Sequence, residues 1–147
     1  MSGRAAITVL GATGSIGLST LDVIKRNSDR YQVVALTANQ DVERLAALSL
    51  EHRPRFAVMA DEDAAAHLQD RLRGEAPDIE VMSGLDALVR VAGLDDVDCV
   101  MAGIVGAAGL LPTLEAARTG KRVLLANKEA LVMSGSLFMQ QARAGNA

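Results

Sequence analysis

Ala6-Ile7-Thr8-Val9-Leu10-Gly11-Ala12-Thr13-Gly14-Ser15-Ile16-Gly17 is the stretch on which the reading of the chain turns. An apolar run ends in three glycines spaced G-x-x-G-x-x-G, and Leu18, Leu21 and Ile24 follow at helical spacing. The pattern predicts a strand, a tight turn and a helix. Lacking a Cβ, Gly11 can turn sharply off the strand and Gly14 can let backbone N–H groups approach a ligand. Gly17 can let the new helix pack against the sheet. The free N–H groups and positive dipole end of that helix favour a phosphate or pyrophosphate above the turn. Thr13 and Ser15 add hydroxyl donors at the rim, and Ser15 suits a helix N-cap. A glycine turn that only joins strand to helix is the competing reading. The strand-to-helix context favours nucleotide binding.

Outward from this turn, short apolar runs alternate with helical stripes. The strands expected are Val33–Leu36, Phe56–Met59, Glu80–Met82, Cys99–Met101 and Val123–Leu125. Between them, Asp41 caps a helix with Val42, Leu45 and Leu48 on one stripe, which stops at Arg53-Pro54. A second helix carries Ala65, Leu68 and Leu72, a third Leu85, Leu88, Val89 and Ala92, and a fourth runs from Leu110 to Thr119. A last helix is expected over 136–144. Such alternation implies parallel strands joined by helical crossovers, and so an α/β, Rossmann-like doubly wound sheet, mostly parallel, with helices on both faces. In that fold ligands lie across the carboxyl ends of the strands, here Gly11, Thr37, Met101 and Ala126.

The 147 residues suit one domain, and with half of them apolar but only 2% aromatic the core must be aliphatic. A net charge of −3 with interleaved signs, two Phe, one Tyr and no Trp offer a nucleic acid neither a basic face nor a stacking platform. The uncharged run Cys99 to Leu114 is too short to span a bilayer and holds three glycines and Pro112. Without a membrane segment or a leader, a cytoplasmic protein is expected. Cys99, inside an apolar run, reads as a buried residue rather than a reactive thiol. His52 and His67 read as surface residues with no metal-site spacing.

The strand ends carry the chemistry. After the second strand stands Thr37-Ala38-Asn39-Gln40, where an NAD site usually places an acid on the ribose 2′-OH. Its absence favours NADP, although no Lys or Arg lies between Tyr31 and Glu43, and Asn39 and Gln40 offer only neutral hydrogen bonds. Asp41 reads as a cap rather than a ribose contact. Past the fifth strand, Gly103, Gly106 and Gly109 fit either close approach to a bulky ligand or a packed small-residue crossover. Asn127-Lys128-Glu129 follows the sixth strand. A helix start accounts for Asn127 and Glu129 but not for a lysine, which faces a ligand better than it suits a helix N-terminus.

The three segments G-A-T-G-S-I-G, A-G-I-V-G-A-A-G-L-L-P-T and L-L-A-N-K-E-A-L-V together resemble the N-terminal domain of the 1-deoxy-D-xylulose 5-phosphate reductoisomerases. The resemblance runs over essentially the whole chain. It implies that Thr13, Gly14, Ser15 and Ile16 hold the NADPH phosphates, that Asn127 and Glu129 face NADPH, and that Lys128 reaches the sugar-phosphate substrate. Where the family often has Gly-Lys-Asn, this chain has Asn39-Gln40-Asp41. The implied reaction rearranges a ketose phosphate to an aldehyde and reduces it with hydride from NADPH to 2-C-methyl-D-erythritol 4-phosphate, a step of isoprenoid synthesis. It uses Mg or Mn held by acids in a following domain, so residues 1–147 are expected to be the cofactor half of an enzyme; a homodimer of the full-length protein stays open. The alternatives are a semialdehyde-dehydrogenase-type domain, which needs a nucleophilic cysteine elsewhere, and a free-standing NADP(H)-binding module.

Overall fold

In the computed structural model, which describes residues 4–104 and 109–125, strands and helices alternate without interruption. They are β1 (Ala5–Leu10), α1 (Ser15–Arg26), β2 (Tyr31–Ala38), α2 (Val42–His52), β3 (Phe56–Met59), α3 (Glu62–Arg73), β4 (Glu80–Ser83), α4 (Gly84–Ala92), β5 (Cys99–Ala102), α5 (Leu110–Arg118) and β6 (Arg122–Leu125). The helix expected over 136–144 lies outside the described residues.

The six strands form one sheet in the order β4-β3-β2-β1-β5-β6, and every pairing is parallel. The chain winds outward from β1 to the β4 edge, then returns past β1 to build β5 and β6 on its other side. The order therefore reverses between β1 and β5, and β1 is interior, as its apolar run requires of a strand covered on both faces.

Two aliphatic cores flank the sheet. Ile7, Val9, Leu36 and Met59 pack with Leu21 and Ile24 of α1, Leu45 of α2 and Leu68 of α3. On the opposite face Ala6, Leu10, Val58 and Val100 pack with Leu88 and Val91 of α4 and Ala116 of α5. Alternation along β1 thus sends successive side chains to different helical layers. Thr8, fully buried on the α4 side, donates its hydroxyl to the Val91 carbonyl at 2.8 Å, which satisfies the polar atom.

Strand β2 carries one residue more than its partner. Ile7 pairs with Val33 but Thr8 pairs with Ala35, leaving Val34 as a bulge. Val34 and Ala35 consequently share the α4 side, and Leu36 returns to the α1–α3 side.

The helix ends follow local chemistry. Asp41 accepts from the Arg44 N–H at 3.1 Å and Asp61 from the Ala64 N–H at 2.9 Å, each capping its helix. Asp61-Glu62-Asp63 is accordingly a helix start. Ser15 is not the cap of α1: Gly14 occupies that position, and among the described residues no side chain caps the head of the helix. The α4 stripe is also rotated from its expected setting. Ala87, Leu88, Val91 and Ala92 are buried while Leu85 is exposed, because the alanines let the helix lie close to the sheet. His52 departs from its expected surface position, with a side chain only 7% exposed beneath the end of α2. Burial holds its pKa below the ordinary value; neighbouring Glu51 opposes this and Lys25 adds to it. His67 is exposed as expected. Among the described residues no helix is long and apolar enough to cross a membrane.

Candidate nucleotide-binding site

The β1–α1 turn is built by backbone approach. Gly11 has φ +75°, and a Cβ there would lie 2.8 Å from the Gly103 carbonyl oxygen; one on Gly103 would lie 2.8 Å from the Leu10 oxygen. The ends of β1 and β5 are held by the Gly103 N–H donating to Leu10 O at 2.9 Å. From β2, Thr37 accepts the Gly11 N–H on its hydroxyl oxygen at 2.9 Å and the Ala12 N–H on its carbonyl at 2.7 Å. Gly17 packs its helix on the turn itself, since a Cβ would fall on Gly11 O and 2.7 Å from Ala12 Cα. The sequence reading placed that contact on the sheet.

These bonds sort the donors. The N–H groups of Gly11, Ala12 and Gly14 are engaged, Gly14 with Gly11 O at 3.2 Å. The first intrahelical bond is Leu18 N–H to Gly14 O, so helix geometry leaves the N–H groups of Ser15, Ile16 and Gly17 without an intrahelical acceptor. Three aligned donors at a positive dipole end suit an anion.

Beside them lies a cavity of about 280 Å³ lined by Gly11, Thr13 and Gly14 after β1, Thr37, Ala38 and Asn39 at β2, Ala60 after β3, Gly103 and Ile104 after β5, and Leu88 of α4. It spans the carboxyl ends of four strands at the point where strand order reverses, where open parallel sheets bind ligands. Its walls combine apolar side chains with exposed backbone, and among the described residues no acidic side chain lines it.

Of the residues singled out from sequence, Gly11, Thr13, Gly14 and Asn39 line this cavity, and Ser15, Ile16 and Gly17 head the adjoining helix. Gln40 is exposed beyond it, its carbonyl accepting from the Val42 N–H at 2.9 Å. Asn127, Lys128, Glu129 and the strand end Ala126 lie outside the described residues. Leu88, Ala60 and Ile104 were not anticipated, nor was Arg44, whose Nη1 donates to Thr13 O at 3.3 Å. Cys99 is buried in β5 and burial pushes its thiol pKa up, which leaves it a poor nucleophile. No group of three His, Cys, Asp or Glu able to hold a metal occurs among the described residues.

Comparison with known proteins gives the geometry its context. A family model described as 1-deoxy-D-xylulose 5-phosphate reductoisomerase matches residues 7–135. The reductoisomerase of Cellvibrio japonicus is 62% identical over 135 residues, covering 92% of this chain and 34% of that protein. Among solved structures, the Zymomonas mobilis reductoisomerase in complex with NADPH superposes with a TM-score of 0.94 at 48% identity, over 100% of this chain and 38% of that one. A DOX-P reductoisomerase in complex with magnesium gives 0.95 at 43% identity, over 98% and 36%. The chain thus spans about a third of the length of the relatives it matches. With a six-stranded doubly wound sheet, a glycine turn at its switch point and a family match over nearly its full extent, the chain belongs to the 1-deoxy-D-xylulose 5-phosphate reductoisomerase family.

Proposed function

We propose that this chain is the NADPH-binding domain of a reductoisomerase that converts 1-deoxy-D-xylulose 5-phosphate to 2-C-methyl-D-erythritol 4-phosphate in isoprenoid synthesis. The observation that carries the reading is the pairing of three N–H groups that lack an intrahelical acceptor, Ser15 to Gly17, with a cavity into which the Gly11 and Gly103 backbones close without side chains. That arrangement fits a dinucleotide, whose pyrophosphate needs donors and whose rings need apolar walls. The Zymomonas relative binds NADPH.

In this reading Gly11, Thr13, Gly14, Ser15, Ile16 and Gly17 hold the phosphates, while Asn39 and Gln40 face the adenosine ribose. Leu88 and Ile104 supply apolar wall. Asn127 and Glu129 also contact NADPH, and Lys128 contacts the sugar phosphate. When bound, NADPH supplies the hydride for the reduction. Mg or Mn is held by acids in a part of the longer protein beyond residues 1–147, which accords with the third of family length spanned here and with the magnesium complex of a relative. The longer protein acts in the cytoplasm, as a homodimer, on a small-molecule substrate rather than on nucleic acid or membrane.

The full-length protein tests the reading. Calorimetry should give tighter binding of NADPH than NADH. With 1-deoxy-D-xylulose 5-phosphate and Mg²⁺ or Mn²⁺ the protein should oxidise NADPH, and Lys128→Ala should impair turnover. Binding of NADPH without any turnover would instead identify a nucleotide-binding module. Failure to bind either nucleotide would refute the site.

A further inference from the structure

We propose that Arg44 recognises the 2′-phosphate of NADPH in this chain, supplying from the first turn of α2 the cation that the loop after β2 lacks. The proposal rests on the NADPH reading above. The loop itself offers Asn39 and Gln40, which donate only neutral hydrogen bonds, and Asp41, whose charge opposes a phosphate. Folding alters that balance. One Asp41 oxygen is occupied as the α2 cap by the Arg44 N–H at 3.1 Å, and the other lies 3.8 Å from Arg44 Nε. The acid is thereby partly offset, and it steers the guanidinium toward the glycine turn.

Arg44 reaches that turn across 31 residues of sequence, with Nη1 3.3 Å from the carbonyl oxygen of Thr13. Thr13 lines the cavity, as does Asn39 from the other side of the β2 loop. The guanidinium therefore stands at the rim between the phosphate-binding turn and the segment where the ribose is expected. The remaining acid of this turn is directed elsewhere, because Glu43 is bound by Arg71 at 2.7 and 3.1 Å. The Arg44 side chain is 54% exposed and its bond to Thr13 is long, so it can turn onto an incoming phosphate without breaking a buried pair. A guanidinium has five donors, and with one on Thr13 O it retains a pair for bidentate contact with phosphate oxygens.

The chemistry separates a 2′-phosphate from the pyrophosphate that every dinucleotide carries. In full-length protein, calorimetry should compare NADPH with NADH, and 2′,5′-ADP with 5′-AMP, for the wild type, Arg44→Gln and Arg44→Lys. Arg44→Gln should weaken NADPH and 2′,5′-ADP by about tenfold or more, the range for losing a charge-assisted bond, and leave NADH and 5′-AMP within about twofold. Arg44→Lys should recover part of the lost affinity, and the salt dependence of NADPH binding should be shallower in Arg44→Gln. Unchanged melting temperatures establish that the variants are folded. Equal weakening of both nucleotides would overturn the proposal and assign Arg44 to the pyrophosphate or to holding the turn. No change in either would also overturn it. If the wild-type protein binds NADPH and NADH equally, the 2′-phosphate contact fails while the nucleotide site stands; if it binds neither, both readings fall.

Discussion

Replacing Gly14 by aspartate is expected to stabilise the fold and abolish nucleotide binding together. Gly14 occupies the N-cap of α1 with φ −82° and ψ 171°, an extended conformation open to any residue, and among the described residues no side chain caps the helix head there. A Cβ at this position would meet only Gly11 O, at an ordinary 3.6 Å. Aspartate is preferred over glycine at an N-cap by a few tenths of a kcal/mol. Its charge at the positive dipole end adds about 0.3–1 kcal/mol, and losing glycine from the unfolded chain adds about 0.4–1 kcal/mol. The sum is roughly 1–2 kcal/mol, or a melting temperature about 2–8 °C higher at about 2–4 °C per kcal/mol. The same carboxylate, accepting from the Ser15–Gly17 donors, occupies the place of a phosphate and repels it. Thermal denaturation without nucleotide, paired with calorimetry for NADPH and NADH, reads both effects on one sample. Gly14→Asn separates the two causes, since it caps without charge. A lower melting temperature, or NADPH bound as tightly as by the wild type, would refute the assignment of these donors.

Gly17→Ala should act in the opposite sense. An alanine inside a helix normally gains about 1 kcal/mol over glycine, but here the Cβ would fall on Gly11 O and 2.7 and 2.8 Å from Ala12 Cα and O, all backbone. Overpacking of this kind costs about 1–3 kcal/mol or more; the variant should melt several degrees lower and bind NADPH more weakly, and a rise in melting temperature would show that the turn can yield. His52 should make stability depend on pH. Its pKa in the fold is below the ordinary 6.5, so below that value the unfolded chain binds the proton more readily, and stability is complete above 6.5 and falls as the pH drops through the folded value. Urea midpoints at about pH 7.5 and about pH 5.5 should therefore differ less in His52→Gln than in the wild type, and identical differences would exclude His52 as a contributor.

The parts of the fold that were legible in the sequence are those set by local rules. The apolar Ala6–Leu10 run ending in the glycine turn read as a strand, and Asp41 had cap chemistry that needed no tertiary context. The misplacements have physical causes. Ser15 and Gly14 are adjacent, and which one caps α1 depends on backbone dihedrals that residue type does not specify. The α4 stripe fits helical period in two settings that share Leu88 and Ala92; the fold buries Ala87 and Val91 in place of Leu85 and Val89, the small Ala87 letting the helix approach. His52 sits between Glu51 and Arg53 and so looks solvated, yet Arg53 takes a left-handed conformation, φ 51°, as α2 ends, and the ring stays covered. For the site, the glycine spacing located the turn and Asn39 the second strand end. Leu88 lines the cavity from α4 and Arg44 bonds the Thr13 carbonyl from α2, and no spacing in the sequence links either to Gly11.

The extra residue at Val34 acts as a phase shift within a single strand. Along β2 the side chains before it and those after it obey opposite parities, so the strand answers two separate demands. Its first half matches the early residues of β1, and its second half presents Leu36 and Ala38 to the α1–α3 core while directing Thr37 to the Gly11 N–H. A chain one residue shorter here would have nearly the same hydrophobicity but would reverse one half or the other. Aliphatic packing can absorb such an exchange at the Tyr31 end, where the side chains are only half-buried. At the Thr37 end it would put a hydroxyl into the core and unpin the turn. The count of residues in β2, as much as their identity, is thus what keeps the glycine turn attached to its neighbour.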